Sequence, residues 1–313
     1  MPQSPVIEAA EACAWCGASL DGAELLRPRL ARCGRCDTLT TYPAPSAAEL
    51  DRAYTEWYRP EGQRRFSFLG DAILARSRAA LARRVDEVSP PGPVLDVGAG
   101  EGWLLDALRA RGREAVGLER AGHRPDMRDE PVEAVEGEAG WAAVIYWHSL
   151  EHLPRPGSAV DAAARLLGDR GVLFVAVPNT ASLQARAFGA RWLHLDLPRH
   201  VVHLSSKALV TRLREAGFSI ERVSYARGGQ IVIGWLDGLV GTLPGDLRLY
   251  QALRRPGARS AAMSRSRRLA ALAAGLILLP VAGLLSLVEV ALRRGGTVYV
   301  EGRRERSGHG SVG

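Results

Sequence analysis

The chain is almost devoid of lysine. Lys207 is its single one, so the 41 basic residues that give a formal charge of +7 are nearly all arginine. These arginines are scattered rather than gathered in a stripe with aromatics between them, so nucleic acid is not an expected partner. Cysteine is equally scarce, with four in 313 residues and none after Cys36. Residues Met1 to Ala12 offer neither a charged n-region nor an apolar h-region, so no secretory signal is expected there and the catalytic part is expected in the cytoplasm. Charge itself is missing from Leu269 to Val288. The remaining composition, 47% apolar, is that of an ordinary globular chain with room for one large domain or two smaller ones.

The four cysteines form two knuckles, Cys13-x-x-Cys16 and Cys33-x-x-Cys36, with the segment Gly17 to Arg32 between them. That spacing suits a structural zinc site in which four thiolates close a tetrahedron, and it is preferred over paired disulfides in a reducing compartment. Gly17 and Gly34 permit the tight turns of such knuckles. Loss of the metal is expected to unfold this ribbon and spare the glycine-rich loop that follows.

That loop is the most informative stretch: Pro93-Val-Leu-Asp96-Val-Gly98-Ala99-Gly100-Glu101-Gly102-Trp103. A strand that runs into glycines above a helix start lets a ligand approach bare backbone. Two features argue against a dinucleotide. Trp103 occupies the sixth place, where the dinucleotide fingerprint needs a small residue. Asp96 and Glu101 would repel a pyrophosphate, whereas they suit the sulfonium and ammonium of S-adenosylmethionine. The cofactor expected at Asp96, Gly98, Ala99, Gly100, Glu101 and Gly102 is therefore the methyl donor. About 20 residues on, the strand-like Arg113 to Leu118 ends in Glu119, placed to bind ribose hydroxyls.

Organisation follows from punctuation and period. After a Pro-rich linker, Ser46-Ala-Ala-Glu49 is a capping box, and residues 70–88 read as an amphipathic helix stopped by Pro90-Pro91-Gly92-Pro93. Strands at 94–97, 114–118, 143–147, 171–177 and 219–225 alternate with helices at 102–110, 157–167 and 205–216, which predicts a parallel sheet covered on both faces. Ligands in such sheets lie at the carboxyl ends of the strands. The loop after the 143–147 strand carries His148, Glu151 and His152, and His148 or His152 is expected to accept a proton from the nucleophile. His194, Asp196, Arg199, His200 and His203 are concentrated enough to line an acceptor pocket, with Arg199 either gripping an acidic acceptor or pairing with Asp196 to order the loop.

These residues resemble the class I S-adenosylmethionine-dependent methyltransferases. Asp96 to Gly102 is similar to the family's first motif, Glu119 to its ribose acid, Trp147 to Pro154 to its fourth-strand segment, and Gly168 to Asn179 to its fifth strand. Trp192 to Ser205 resembles the acceptor-side segment of a bacterial subgroup that also carries an N-terminal cysteine ribbon and a Tyr-rich stretch like Tyr54 to Tyr58, which adds Trp192 to the acceptor residues. The resemblance covers roughly residues 10–228 and 296–304. It implies a doubly wound, mostly parallel seven-stranded sheet of Rossmann-like type, preceded by the zinc ribbon, with Gly296 to Glu301 as an antiparallel seventh strand. The Asp that commonly opens the fourth strand is missing, and His148 is also placed to touch the cofactor. Glu138 is taken as the adenine contact. Quinone O-methyltransferases hold a divalent cation on an E-x-x-E-H segment, which maps here onto His148, Glu151 and His152.

The expected domains are a ribbon (1–45), a methyltransferase domain (46–228 and 296–304), an apolar helical insertion (229–295) and a disordered tail (305–313). The charge-free run Leu269 to Val288 is long enough to span a bilayer, yet Arg265, Arg267 and Arg268 before it and Arg293 and Arg294 after it keep both ends on one side. Pro280 is expected to break the run into a helical hairpin in one leaflet. A monotopic anchor on the inner face of the plasma membrane is therefore expected, with a buried helical pair in a dimer interface as the alternative. The function expected is methyl transfer to a small-molecule or lipid-linked acceptor, at oxygen. Methylation of nucleic acid or protein is disfavoured by the lack of an Asn-Pro-Pro-Tyr-like segment, and a non-catalytic donor-binding scaffold is the reading from another class.

Overall fold

Residues 12–26, 29–57, 68–120, 124–137, 140–226, 229–254 and 263–305 are described by the computed structural model. The cysteine knuckles alternate with three short antiparallel strands, β1 (Glu24–Leu26), β2 (Leu30–Arg32) and β3 (Leu39–Thr41). The capping box then opens α1 (Ala47–Trp57): Ser46 Oγ accepts from the Glu49 N–H at 3.2 Å, and Glu49 Oε2 accepts from the Ser46 N–H at 2.9 Å.

The amphipathic helix α2 (Phe68–Val88) leads to β4 (Val94–Val97), α3 (Trp103–Arg109) and β5 (Ala115–Leu118). There follow β6 (Met127–Arg128), β7 (Trp141–Trp147), α4 (Pro156–Leu166), β8 (Leu167–Pro178) and α5 (Leu183–Phe188). β9 (Val202–His203), α6 (Ser206–Glu215) and β10 (Phe218–Ser224) precede the apolar helices α7 (Gly229–Gly241), α8 (Leu249–Leu253) and α9 (Arg265–Ala291), and β11 (Thr297–Arg304) ends the described fold.

Seven strands form one sheet in the order β10-β11-β8-β7-β4-β5-β6. β6, β5, β4, β7 and β8 are parallel neighbours, and β11 inserts antiparallel between β8 and β10. Side chains alternate across the sheet. Leu95, Val97, Val144, Tyr146, Val175 and Val300 face α4 and α6, whereas Val94, Ile145, Phe174 and Tyr299 face α2 and α3. The fold is thus the expected doubly wound, mostly parallel one.

Three features were not anticipated. The two-residue β6 is too short to show a period. The ribbon sheet is completed by β9, from far downstream in the chain, in the order β1-β2-β3-β9, with Leu39 opposite His203 and Thr40 opposite Val202. Cys13, Trp15 and Cys33 also share the core packed on α4, and a Cβ on Gly157 would lie only 2.1 Å from the Trp15 carbonyl oxygen. The cysteine module is therefore built into the larger domain.

The third is a correction. Pro280 does not divide its segment, because α9 runs unbroken for 27 residues. Proline removes a single helical hydrogen bond, and Pro280 lies on the exposed side, so its ring disturbs none of the packing made by Ala271, Gly275, Ala282 and Ser286 opposite. The hairpin is made instead by α9 against α7 and α8. The tail beyond residue 305 lies outside the described residues.

Candidate functional site

The glycine loop is set by backbone geometry. Gly98 and Ala99 both donate N–H groups to the Leu118 carbonyl, at 2.8 and 3.1 Å, which folds the loop over the end of β5. Gly98 has φ 77°, and a Cβ there would lie 2.4 Å from the Ser149 Cβ, so only glycine fits. Gly100 has φ 58° and faces open space, with nothing within 4 Å of an added Cβ. Gly102, the residue before α3, is buried, and a Cβ there would meet Arg124 Nη1 at 2.3 Å. A loop bare at Gly100 and filled at Gly98 and Gly102 can receive a ligand against the backbone.

Two acids frame it. Glu119 Oε2 accepts from the Gly100 N–H at 2.6 Å and Glu119 Oε1 from the Arg120 N–H at 2.9 Å, so the ribose candidate also holds the loop in shape. Asp96 is buried, and burial pushes its carboxyl up to about 7 against the pull of Arg78. Glu101 is exposed and accepts from the Trp103 indole N–H at 2.9 Å. Glu138 lies outside the described residues.

β7 pairs with β4 in register, Val97 opposite Tyr146, so the residues after Trp147 emerge beside the loop. His148 follows with φ 55°, a left-handed conformation that costs a non-glycine residue energy and that clusters at functional sites. Its N–H donates to the Ala176 carbonyl at 2.8 Å, and its Nδ1 lies 3.7 Å from Glu151 Oε1. Burial, reinforced by Arg78, drives the His148 imidazole down to about 3 despite a hydrogen bond with Gln230.

Glu151 stands on a 3-10 turn, Leu150–His152, and is buried, which raises its carboxyl to about 7 although His152 opposes the shift. Glu151 Oε2 has no hydrogen-bond partner among the described residues. His152 Nδ1 lies 3.1 Å from the Arg199 carbonyl, which makes it the protonated nitrogen, and the Tyr54 hydroxyl is 3.4 Å from it.

The residues expected to line the acceptor pocket divide. His200 stacks edge-on to His152 with ring centroids 4.4 Å apart, donates from Nδ1 to the His194 carbonyl at 3.0 Å, and turns Nε2 toward Glu151 Oε1 at 3.9 Å. Asp196 pairs with Arg199 through Nη2 and, at 3.2 Å, through Nε, so the loop-ordering pair weighed from the sequence is formed. His194 is half-buried, with its Nε2 shielded from solvent and lacking a hydrogen-bond partner among the described residues, and desolvation lowers it to about 4. Trp192 is buried in a small cluster with Leu30 and Leu195. His203 turns to the ribbon, 3.0 Å from Thr41 Oγ1, and burial lowers it to about 4.

The set able to hold a cation here, one ligand atom each within 4.8 Å, is Glu151, His152 and His200, with His200 in place of the His148 suggested by the motif. His200 joins from a distant part of the chain, a proximity no local pattern reveals. Sequence reading also missed Arg78, whose guanidinium lies 5.3 Å from the centre of the Trp147 ring, and Gln230 at the start of α7. Tyr54, which falls within the Tyr-rich stretch, lies under the Arg120 guanidinium at 4.8 Å, while Tyr58 is outside the described residues.

The four cysteine sulfurs lie within 4.8 Å of one another, with Cys13 and Cys36 separated by 3.7 Å and Cys16 and Cys33 by 3.6 Å. Four sulfurs at ~2.3 Å from one ion stand ~3.8 Å apart in a tetrahedron. The cluster has the size of such a cage.

Residues 71–223 match the family model described as a methyltransferase domain. The ubiquinone biosynthesis O-methyltransferase of Xylella fastidiosa (strain 9a5c) is 30% identical over 210 residues, 58% of this chain and 81% of that protein. The enzyme of the same name from Paracidovorax citrulli is 34% identical over 128 residues, 34% of this chain and 52% of that protein. Among solved structures, a SAM-dependent methyltransferase from Archaeoglobus fulgidus aligns with TM-score 0.46 and 15% identity over 72% of this chain and 92% of that one. With the glycine loop, its paired acid and the seven-stranded sheet in place, the chain belongs to the S-adenosylmethionine-dependent methyltransferases.

Proposed function

We propose that this enzyme methylates a hydroxyl oxygen of a small-molecule acceptor, with Glu151 as the group that takes the hydroxyl proton. The observation that carries the reading is the Glu151 carboxylate itself, buried beside the end of β7 with Oε2 left without a hydrogen-bond partner among the described residues. O-methylation is the activity named for the ubiquinone biosynthesis relatives.

Bound S-adenosylmethionine supplies an already activated methyl group. The chain's own task is to hold the acceptor in line and to remove its proton. Asp96, Gly98, Ala99, Gly100, Glu101, Gly102 and Glu119 would hold the donor, and the Arg78 guanidinium, within the field of both Asp96 and His148, suits the donor's carboxylate. A base works best when its pKa lies near the working pH. Burial places Glu151 there at about 7 and takes His148 to about 3, which favours the carboxylate over the imidazoles first considered. His148 Nδ1 then faces Glu151 from 3.7 Å, while the unprotonated Nε2 of His200 lies 3.9 Å from Glu151 and 3.7 Å from Asp196. The cysteine cage is read as a structural zinc site with no open position, and its dimensions support that assignment.

The test is turnover of S-adenosylmethionine carrying a labelled methyl with a panel of phenolic acceptors, alongside S-adenosylhomocysteine calorimetry. The expected product is an aryl methyl ether, and Glu151→Gln is expected to lower kcat roughly 100-fold with S-adenosylhomocysteine affinity unchanged. Label recovered on nitrogen or carbon, or unaltered kcat in the variant, overturns the reading.

A further inference from the structure

We infer that the outward flank of α9 is a lipid-docking surface, which seats the enzyme on an anionic bilayer with the helix lying along the boundary between headgroups and acyl chains. The inference does not rest on the acceptor or on the proton-removing role of Glu151.

The observation is a helix without a water-adapted side. Inward, Ala271, Gly275, Ala282 and Ser286 pack against α7 and α8, and Gly275 lets Leu249 come close, since an added Cβ would lie 2.9 Å from Leu249 Cδ1. Outward, Leu269, Leu276, Ile277, Leu284, Leu287 and Leu292 are all exposed, Leu276 by 74% and Ile277 by 76%. A helix apolar all round belongs in a core or in lipid, and only 22% of the most apolar window of α9 is buried. The charge-free run of 20 residues is ~30 Å long at 1.5 Å per residue, and its exposed leucines and isoleucine continue along that length, the kind of contiguous apolar surface that marks an interaction site.

Placement in the fold decides between lying and crossing. β10 feeds α7 and β11 leaves α9, and those two strands are hydrogen-bonded neighbours. Both ends of the insertion therefore return to one body, while α7 and α8 cover the other flank of α9 along its length. One side alone is open.

Charge identifies the occupant. Arg265 and Arg267 at the start of α9, and Arg293 and Arg294 just after it, are exposed. The one acid of the helix, Glu289, is fully buried, and its carboxylate accepts from Trp235 Nε1 at 2.9 Å, Gln184 Nε2 at 2.8 Å and the Gln184 N–H at 3.1 Å. The open flank thus has cationic ends and no negative charge, the pattern that complements anionic headgroups. A second copy is a poor occupant. With arginines at both ends, two α9 helices set side by side juxtapose like charges in either orientation.

The test is flotation of the full-length protein with phosphatidylcholine vesicles with and without phosphatidylglycerol. The protein is expected to float with the anionic vesicles, and Leu276→Glu combined with Leu284→Glu is expected to weaken that binding roughly tenfold or more. The combined Arg265→Gln, Arg267→Gln, Arg293→Gln and Arg294→Gln variant is expected to lose the preference for phosphatidylglycerol, and an unchanged preference overturns the inference. S-adenosylhomocysteine calorimetry on each variant verifies that the fold is intact. Failure to float with anionic vesicles overturns the inference, as does undiminished flotation of the Leu variant. A stable dimer in vesicle-free buffer that Leu276→Glu splits into monomers also overturns it.

Discussion

Thr41, on the last strand of the cysteine module, hydrogen-bonds both the backbone of His200 and the side chain of His203. Its hydroxyl donates to the His200 carbonyl at 2.5 Å, which leaves His203 Nε2 as the donor of the 3.0 Å bond back to Thr41 Oγ1. All three groups are buried. Thr41→Val leaves a buried carbonyl and a buried N–H without partners, so a loss of about 1–3 kcal/mol is expected in thermal unfolding. Because His200 faces Glu151, acceptor turnover is expected to fall while S-adenosylhomocysteine affinity holds.

The same linkage sets what metal removal does. One zinc per chain is expected by elemental analysis, and Cys36→Ser is expected to lose it. The contacts of the module run to β9 and to α4, so the loss is expected to speed amide exchange in Val202 and His203 as well as in the ribbon. The glycine loop is expected to keep its S-adenosylhomocysteine affinity.

The glycines of the loop separate packing from binding. Gly98→Ala drives a methyl against the Ser149 Cβ, and a stability loss of about 3 kcal/mol or more is expected from overpacking together with left-handed strain. Gly100→Ala meets no protein atom and carries only about 1–2 kcal/mol of strain. Its methyl instead enters the open space above the loop, so calorimetry is expected to show S-adenosylhomocysteine binding lost in a protein that melts close to the parent.

Glu151 gives a pH signature. Burial raises its folded pKa from 4.5 to about 7, so its contribution to stability is complete below pH 4.5 and is lost as pH rises through 7. Glu151→Gln is expected to melt higher than the parent at pH 8, by up to about 3 kcal/mol, with the gap closing below pH 5. The histidines act in the opposite sense. His148, His194 and His203 are depressed to about 3–4, so their contribution is present above pH 6.5 and is lost as pH falls through those values.

What could be read from the sequence was local. β4, its glycine loop and Glu119 all fall between Val94 and Glu119, and an apolar run, three glycines and a strand-end acid mark them without help from the rest of the chain. The two-faced sheet followed from the alternation of strands with helices. Two-residue strands show no period, which is why β6 went unseen, and the junction of β9 with the ribbon joins residues far apart in the chain, which no local pattern marks. The acceptor-side histidines were found as a cluster, but their division into His200 facing Glu151 and His203 facing Thr41 depends on that junction. Arg78 was hidden among the arginines of α2, because helical period alone does not tell which of them reaches Trp147.

β10 and β11 are partners in an antiparallel ladder, Ser224 opposite Tyr299, yet the chain between them makes an excursion that holds three helices among the described residues. The entropy of joining two strand ends grows only with the logarithm of the loop, so this detour costs about 2–3 kcal/mol more than a tight turn would. The catalytic scaffold can thus exchange one appendage for another at this point with little thermodynamic penalty, which makes the junction a natural place for related chains to differ and for a reporter domain to be spliced.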